Sequence, residues 1–178
     1  MNKADQSLLG TPVFSRLAEG ISILIIGVGC LVLAGWALNI AVFKSVIPGL
    51  TTMKSMAALL FVLCGISLWL QTRQPARPFA HWLGLLVALT GLATLMEYLL
   101  HQNFGIDQLF FTETASGVLF PGRMAPATAL SFLLIGGSLF LLNQPSRHRL
   151  RETLVVAAFA ISLLALIGYL YGVSSLYQ

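Results

Sequence analysis

Five apolar stretches, each about as long as a bilayer is thick, dominate this sequence. The hydrocarbon core of a bilayer is about 30 Å thick, so a helix that crosses it needs roughly 20 apolar residues. The stretches cover about residues 17–43, 53–71, 81–101, 124–143 and 153–177. None alternates apolar with polar residues as the strands of a membrane barrel would. The sequence therefore predicts an all-α fold, a polytopic bundle of five transmembrane helices in a single membrane domain over residues 1–178.

The composition supports a membrane protein and excludes several function classes. Only 9% of the residues are charged, against about 25% in a soluble domain. A soluble enzyme, a disordered chain and a nucleic-acid-binding domain are excluded on this ground, and the partner that the composition predicts is the lipid bilayer. No nucleophile with a base, phosphate-binding glycine loop, paired carboxylate or metal-ligand spacing is evident. We therefore expect a non-enzymatic protein with no cofactor and no metal.

The basic residues predict an orientation, because loops on the cytoplasmic side of a membrane carry an excess of Lys and Arg. One face receives the N-terminus and the second and fourth connections, with seven basic residues: Lys3, Arg16, Arg73, Arg77, Arg147, Arg149 and Arg151. The other face receives three: Lys44, Lys54 and Arg123. The N-terminus is expected in the cytoplasm, and five crossings then place the C-terminus outside.

The second and fourth stretches share a pattern at a constant offset of 71 residues. The pattern pairs Met53 with Met124, and the matched Phe, Gly and Ser positions that follow are less easily explained by chance than matched aliphatic residues. It predicts tandem helical hairpins in parallel orientation. The fifth stretch would then begin a third hairpin whose second helix is absent.

Three segments resemble a known family. These segments are PGLTTMKSMAALLFVLCGISLWL (48–70), GIDQLFF (105–111) and PGRMAPATALSFLLIGGSLFLL (121–142). They look like the N-terminal multi-helix membrane region of bacterial sensor proteins that carry PAS, histidine-kinase or diguanylate-cyclase modules. The resemblance implies a sensory input domain in the bacterial cytoplasmic (inner) membrane, active in two-component or related signal transduction, which transmits its signal by helix rearrangement.

Members of that family continue into a cytoplasmic output module, whereas nothing follows Gln178 here and its expected position is outside the cell. Two other functions therefore stay open. The chain would be a subunit or assembly factor of a larger membrane complex, or a small transporter. The glycines at 168 and 172 are spaced for close helix packing, either within the chain or in a homodimer.

Glu97 is the main candidate site residue, because it is an acidic residue inside an apolar stretch and a charge in the bilayer is costly. His101 follows at i+4, on the same helical face. The pair would form a ligand site for a lipid-soluble or outer-face signal. In the alternative interpretation, Glu97 extends to the nearby membrane surface together with His101.

Arg123, Lys54 and Asp107 complete the candidate ligand-binding site. The two cations begin the fourth and second stretches on the outer face, where helix N-termini also point. They would bind an anionic ligand, pair with Glu97 and Asp107 inside the chain, or anchor to lipid phosphate. A haem held by His81 and His148 is a further alternative, although both residues lie near the water boundary.

Overall fold

The structure, a computed structural model, describes residues 12–44, 52–73, 77–111 and 121–172. Within these ranges the chain is helical and contains no strand. The helices are α1 (Pro12–Ala37), α2 (Ala41–Lys44), α3 (Ser55–Gln71), α4 (Arg77–Leu100), α5 (Pro126–Leu141) and α6 (His148–Leu170), with 3-10 turns at Ile106–Gln108 and Pro145–Arg147. Lys3, residues 112–120 of the long connection and residues 173–177 of the fifth predicted stretch lie outside the described residues.

Three of the described helices are long and apolar enough to cross a membrane, over Ser15–Ala37, Pro78–Leu100 and Pro145–Leu170. Helices α3 and α5 are equally apolar but shorter, with 17 and 16 residues. At 1.5 Å per residue they are about 25 Å long, which is less than the thickness of the hydrocarbon core. The chain is therefore an all-α membrane protein with three helices of full spanning length.

The first helix is shorter at its C-terminal end than the predicted stretch 17–43. Helix α1 ends at Ala37, and Asn39 takes a left-handed backbone conformation with φ of 54°. A non-glycine residue rarely adopts this conformation, and a right-handed α-helix cannot continue through it. The chain turns there, and the apolar residues that follow form the short helix α2. Apolar composition continues through this turn, so the sequence pattern extended the helix too far.

Helices α3 and α5 lie at the centre of the bundle. Helix α3 packs against α1 and α4, and α5 packs against α4 and α6, while α3 and α5 also meet each other. The buried core is built from residues of α3, α4 and α5 together with Met124, which lies just before α5. Its residues are Met56, Ala57, Leu60, Cys64, Val87, Met124, Ala129, Phe132 and Leu139. Helices α1 and α6 are peripheral, and most of their large apolar side chains face outward.

Glycines bring α1 and α3 into backbone contact. A Cβ atom added at Gly29 would lie 2.8 Å from the carbonyl oxygen of Ala58, and one added at Gly65 would lie 2.9 Å from that of Ser22. Real Cβ atoms essentially never approach that closely. Only glycine allows this spacing, and the contacts show that the two helices run antiparallel.

Helices α4 and α5 approach each other in the same way. A Cβ atom at Gly91 would lie 2.6 Å from the carbonyl oxygen of Ala129, and one at Gly136 would lie 2.5 Å from the backbone nitrogen of Ala88. Small residues at helix crossings are the usual means of close packing between membrane helices. The contacts again define an antiparallel hairpin.

Polar contacts fix which helix ends lie together. Glu19 of α1 pairs with Arg73 after α3, at 3.5 Å, and Ser67 of α3 donates a hydrogen bond to the carbonyl oxygen of Ala80 in α4. Gln71 of α3 donates to the carbonyl oxygen of Leu139 in α5. Arg151 of α6 donates to the carbonyl oxygen of Leu142, just after α5. Together these contacts place Glu19, Arg73 and Arg151 at one end of the bundle and the C-terminal end of α4 at the other.

Candidate functional site: a buried ionic cluster

Three of the predicted site residues meet at the end of the bundle where α4 stops and α5 begins. Glu97 lies in the last turn of α4, Asp107 in the 3-10 turn of the following connection, and Arg123 three residues before α5. All three side chains are buried, and that of Glu97 is 0% exposed. We call these three residues the ionic cluster.

One guanidinium nitrogen binds both carboxylates. Arg123 Nε lies 3.0 Å from Asp107 Oδ2, where it donates a hydrogen bond, and 3.5 Å from Glu97 Oε2. Charged hydrogen bonds of this kind are stronger than neutral ones, and burial reduces their screening by water. No paired-carboxylate motif was evident in the sequence, but pairing of Arg123 with Glu97 and Asp107 inside the chain was one of the alternatives left open there. The contacts have this arrangement, because the connection brings Asp107 back toward Glu97.

The cluster also contacts the backbone of the connection where it leaves α4. The backbone N–H of Phe104 donates to Glu97 Oε1 at 2.7 Å, and Arg123 Nη2 donates to the carbonyl oxygen of Gln102 at 3.0 Å. Gly122 has a φ of 85°, and a Cβ atom there would lie 3.2 Å from the carbonyl oxygen of Asp107. Glycine thus allows the chain to pass close to the 3-10 turn just before Arg123.

An aromatic ring covers one side of the guanidinium group. The Cζ atom of Arg123 lies 5.1 Å from the ring centroid of Tyr98, a distance at which a cation is attracted to the ring. The Tyr98 hydroxyl donates a hydrogen bond to the carbonyl oxygen of Met124 at 3.0 Å. Tyr98 therefore holds α4 to the start of α5 and shields the ion pairs.

The ionic cluster contains carboxylate oxygens that no donor satisfies. Neither Glu97 Oε2 nor Asp107 Oδ1 accepts a hydrogen bond, although both atoms are buried. With both carboxyls ionised, two negative charges face one guanidinium. A buried polar atom without a hydrogen bond is costly.

Thr94, which the sequence analysis did not select, adds a third such oxygen. It lies on α4 three residues before Glu97, on the same helical face, and is 0% exposed. Its hydroxyl makes no hydrogen bond, whereas those of Thr90, Ser131 and Thr153 each donate to the carbonyl oxygen one turn earlier. A threonine in an apolar helix is unremarkable, so the sequence offered no direct signal for it.

The two other predicted site residues lie at the same end of the bundle. His101 follows α4, is exposed and adopts a left-handed conformation with φ of 52°. It ends the helix, and the contacts of Glu97 are with the connection and Arg123. Lys54 is the N-cap residue of α3 and is half-buried.

The histidines proposed for a haem lie apart from the cluster. His81 packs against Trp82 and Phe140, with ring centroids 5.1 and 5.7 Å away. His148 is the first residue of α6. In the part of the chain that the structure describes, no three His, Cys, Asp or Glu side chains group as metal ligands.

Comparison with known proteins yields no relative. No family model, no curated protein and no solved structure matches the chain. The geometry of the bundle and of the ionic cluster is therefore the basis for the function proposed below.

Proposed function

We propose that the chain is a non-enzymatic sensory input domain of a bacterial signalling protein, embedded in the inner membrane, and that the ionic cluster is its signal site. The observation that carries the proposal is the buried group of two carboxylates around one arginine at a helix end. Ionisable residues at membrane depth are costly, which makes them functional candidates by default. The resemblance of three sequence segments to bacterial sensor regions points to the same class of protein.

Within this proposal, α1 with α3 and α4 with α5 form two equivalent hairpins. The known offset of 71 residues relates α3 to α5, and an offset of 62 relates α1 to α4. These offsets superimpose the close contacts: Gly29 on Gly91, Ala58 on Ala129, and Gly65 on Gly136. Three positions of the first hairpin and the three that match them in the second thus share one packing geometry.

The helix ends support the same equivalence. Trp36 Nε1 donates to the carbonyl oxygen of Met53 at 3.0 Å, as the hydroxyl of Tyr98 donates to that of Met124. The aromatic donors are 62 residues apart and the methionines 71. Asn39 and His101, also 62 apart, both have positive φ. Gly172 follows His101 by 71 residues and also has positive φ, which is expected if α6 begins a third hairpin.

The ionic cluster is where the equivalence ends. The positions that match Glu97, Arg123 and Thr94 hold Gly35, Thr52 and Val32. The first hairpin reaches the same helix contacts without charges there. We infer that the cluster is an addition to a packing scheme that is complete without it, as expected of a signal site.

The proposed mechanism is a two-state rearrangement. A signal that binds or neutralises the cluster has different affinity for two arrangements of the hairpins and shifts their populations accordingly. The cluster joins α4 to α5 through residues 102–123, so a change in its contacts alters the outer end of the second hairpin. In the membrane, five helices cross, and α3 and α5 are surrounded by longer neighbours that meet the lipid. The end that carries Arg73 and Arg151 faces the cytoplasm.

A spin-label distance measurement tests the proposal. One label replaces Gly27 on α1, where added atoms meet open space, and the other replaces exposed Phe159 on α6, with Cys30 changed to Ser. Two distance populations are expected in the reconstituted full chain. Glu97→Gln should change their ratio, because it removes one charge of the cluster.

The matched control is Glu19→Gln, which removes a carboxylate of the half-exposed ion pair with Arg73 at the opposite end. It should leave the ratio unchanged. A single distance in the wild type that neither substitution alters would contradict the two-state mechanism. Co-purification with a stoichiometric membrane partner would instead favour a subunit of a larger complex.

A further inference from the structure

We propose that Thr94, Glu97 and Asp107 bind one monovalent cation, either Na⁺ or a proton, at the buried edge of the ionic cluster. This inference rests on the proposed function in that it names the ligand class of the same site. It departs from the anionic ligand that the sequence suggested.

The first support is the supply of oxygen atoms. Glu97 Oε2, Asp107 Oδ1 and Thr94 Oγ1 are all buried and none has a hydrogen-bond partner. Carboxylate and hydroxyl oxygens are the atoms that hard cations select in proteins. Three such oxygens on neighbouring segments would replace the water oxygens that surround a cation in solution.

The second support is charge. Arg123 Nε lies within 3.5 Å of both carboxylates, so its charge is already directed at them. Two carboxylates and one guanidinium leave one negative charge in a buried site. Uncompensated charges in a low-dielectric surrounding are costly, and one added cation balances this one. An anion would increase the imbalance.

Other charged or titratable groups also lie near this end of the bundle. Tyr98 stacks on Arg123, and His101 projects into solvent from the end of α4. Lys54 begins α3, the helix against which the 3-10 turn packs. Its side chain is half-buried, whereas Thr94, Glu97 and Asp107 are buried.

The third support is the hydroxyl of Thr94. The equivalent buried position in the first hairpin holds Val32, which has the same shape and no hydroxyl. Valine is therefore sufficient to fill the space at this position. The threonine adds a buried hydroxyl on the helical face that carries Glu97, and this hydroxyl is not bonded to the helix backbone.

Thermal unfolding of the purified full chain in mild detergent tests the inference. In the first arm, NaCl replaces choline chloride at constant ionic strength and neutral pH. A ligand that binds only the folded state raises the melting temperature with the logarithm of its concentration. In the second arm, pH is lowered at constant Na⁺ concentration.

Na⁺ binding predicts a rise of the melting temperature in the first arm that is lost in both Thr94→Val and Glu97→Gln. Proton binding predicts a rise on acidification that is lost in Glu97→Gln and kept in Thr94→Val. The control is Thr90→Val, since the Thr90 hydroxyl is exposed and bonded to its own helix. Thr94→Val keeps the shape of the side chain, so the Na⁺ arm is informative even if Glu97→Gln fails to fold.

If the wild type and both variants respond alike to Na⁺ and to pH, the cation site does not exist. The measurement is independent of the proposed function. A cation effect without any change in the spin-label distances would leave the site in place and refute the sensory mechanism. A change in the distances without a cation effect would refute the cation site and leave the sensory mechanism in place.

Discussion

The hairpin α1–α3 and the hairpin α4–α5 use the same backbone contacts and differ in how their open ends are closed. In the first, Lys44 Nζ lies 4.5 Å from the centroid of the Trp36 ring and donates a hydrogen bond to the neutral amide of Asn39. In the second, Arg123 lies over Tyr98 and pairs with two carboxylates. A cation over an aromatic ring is common to both ends, and the buried acids are specific to one.

The comparison separates architecture from function. Close packing at Gly29 and Gly65 needs no buried charge, so the matching contacts at Gly91 and Gly136 do not explain the ionic cluster at the end of the second hairpin. The connection of the second hairpin is also longer, since 26 residues separate Tyr98 from Met124 and 17 separate Trp36 from Met53. The additional length carries the 3-10 turn with Asp107.

The largest expected effect comes from removing the cation of the second hairpin alone. Arg123→Met should destabilise the chain by about 3–5 kcal/mol, because it leaves two buried carboxylates without a counter-ion. The triple variant Glu97→Gln, Asp107→Asn, Arg123→Met should recover most of that loss, since neutral groups of similar size need no partner charge. Thermal unfolding in detergent measures both.

If the triple variant recovers its stability, the second hairpin folds without buried charges, as the first hairpin does. If the triple variant is as unstable as Arg123→Met, the ionic cluster holds the fold, and its interpretation as an added signal site is wrong. Thr52→Met at the matching position of the first hairpin is the control and should cost little.

A second prediction concerns the contacts that the hairpins share. Gly65→Val and Gly136→Val should each destabilise the chain by about 3 kcal/mol, because the added atoms force two helix backbones apart. Gly27→Val should have little effect, since a Cβ atom there meets nothing within 4 Å. The free energy of unfolding in detergent distinguishes them. A large difference between the Gly65 and Gly136 variants would argue against equivalent packing.

The smallest expected effect is at the helix ends. His101→Gly should stabilise the chain by about 1 kcal/mol, because glycine adopts the left-handed conformation without steric cost. If His101 belongs to the signal site, the same substitution would abolish the cation-dependent shift in melting temperature. We expect the shift to persist, as His101 is exposed and ends α4.

The helical class, and the residues that form the ionic cluster, could be predicted from the sequence. Glu97 stands out because it is charged within an apolar stretch, and Arg123 and Asp107 because they border such stretches. The contact between Glu97 and Asp107 could not be predicted, since it depends on the course of an irregular connection. Thr94 differs from Val32 by one hydroxyl and becomes visible only when α1 and α4 are aligned.

Helix boundaries were predicted less well, for a physical reason. Hydropathy does not distinguish the apolar residues of a helix from those of a turn that lies against it, as after Asn39. The offset of 71 was evident in the sequence because α3 and α5 both retain the small residues of their buried faces. The offset of 62 was not, because α1 and α4 share few identical residues and the connections differ in length.

Backbone contact at the glycines also has a mechanical consequence. Where helices touch along their main chains, few side chains between them can reorient, so each hairpin is expected to move as a stiff unit. Deformation then concentrates at the seam where α3 meets α4, which lacks a glycine pair of this kind among the described residues. A shift of less than an ångström at the outer end would tilt a whole hairpin and produce a larger displacement at its opposite end, some 30 Å away by the thickness of a membrane.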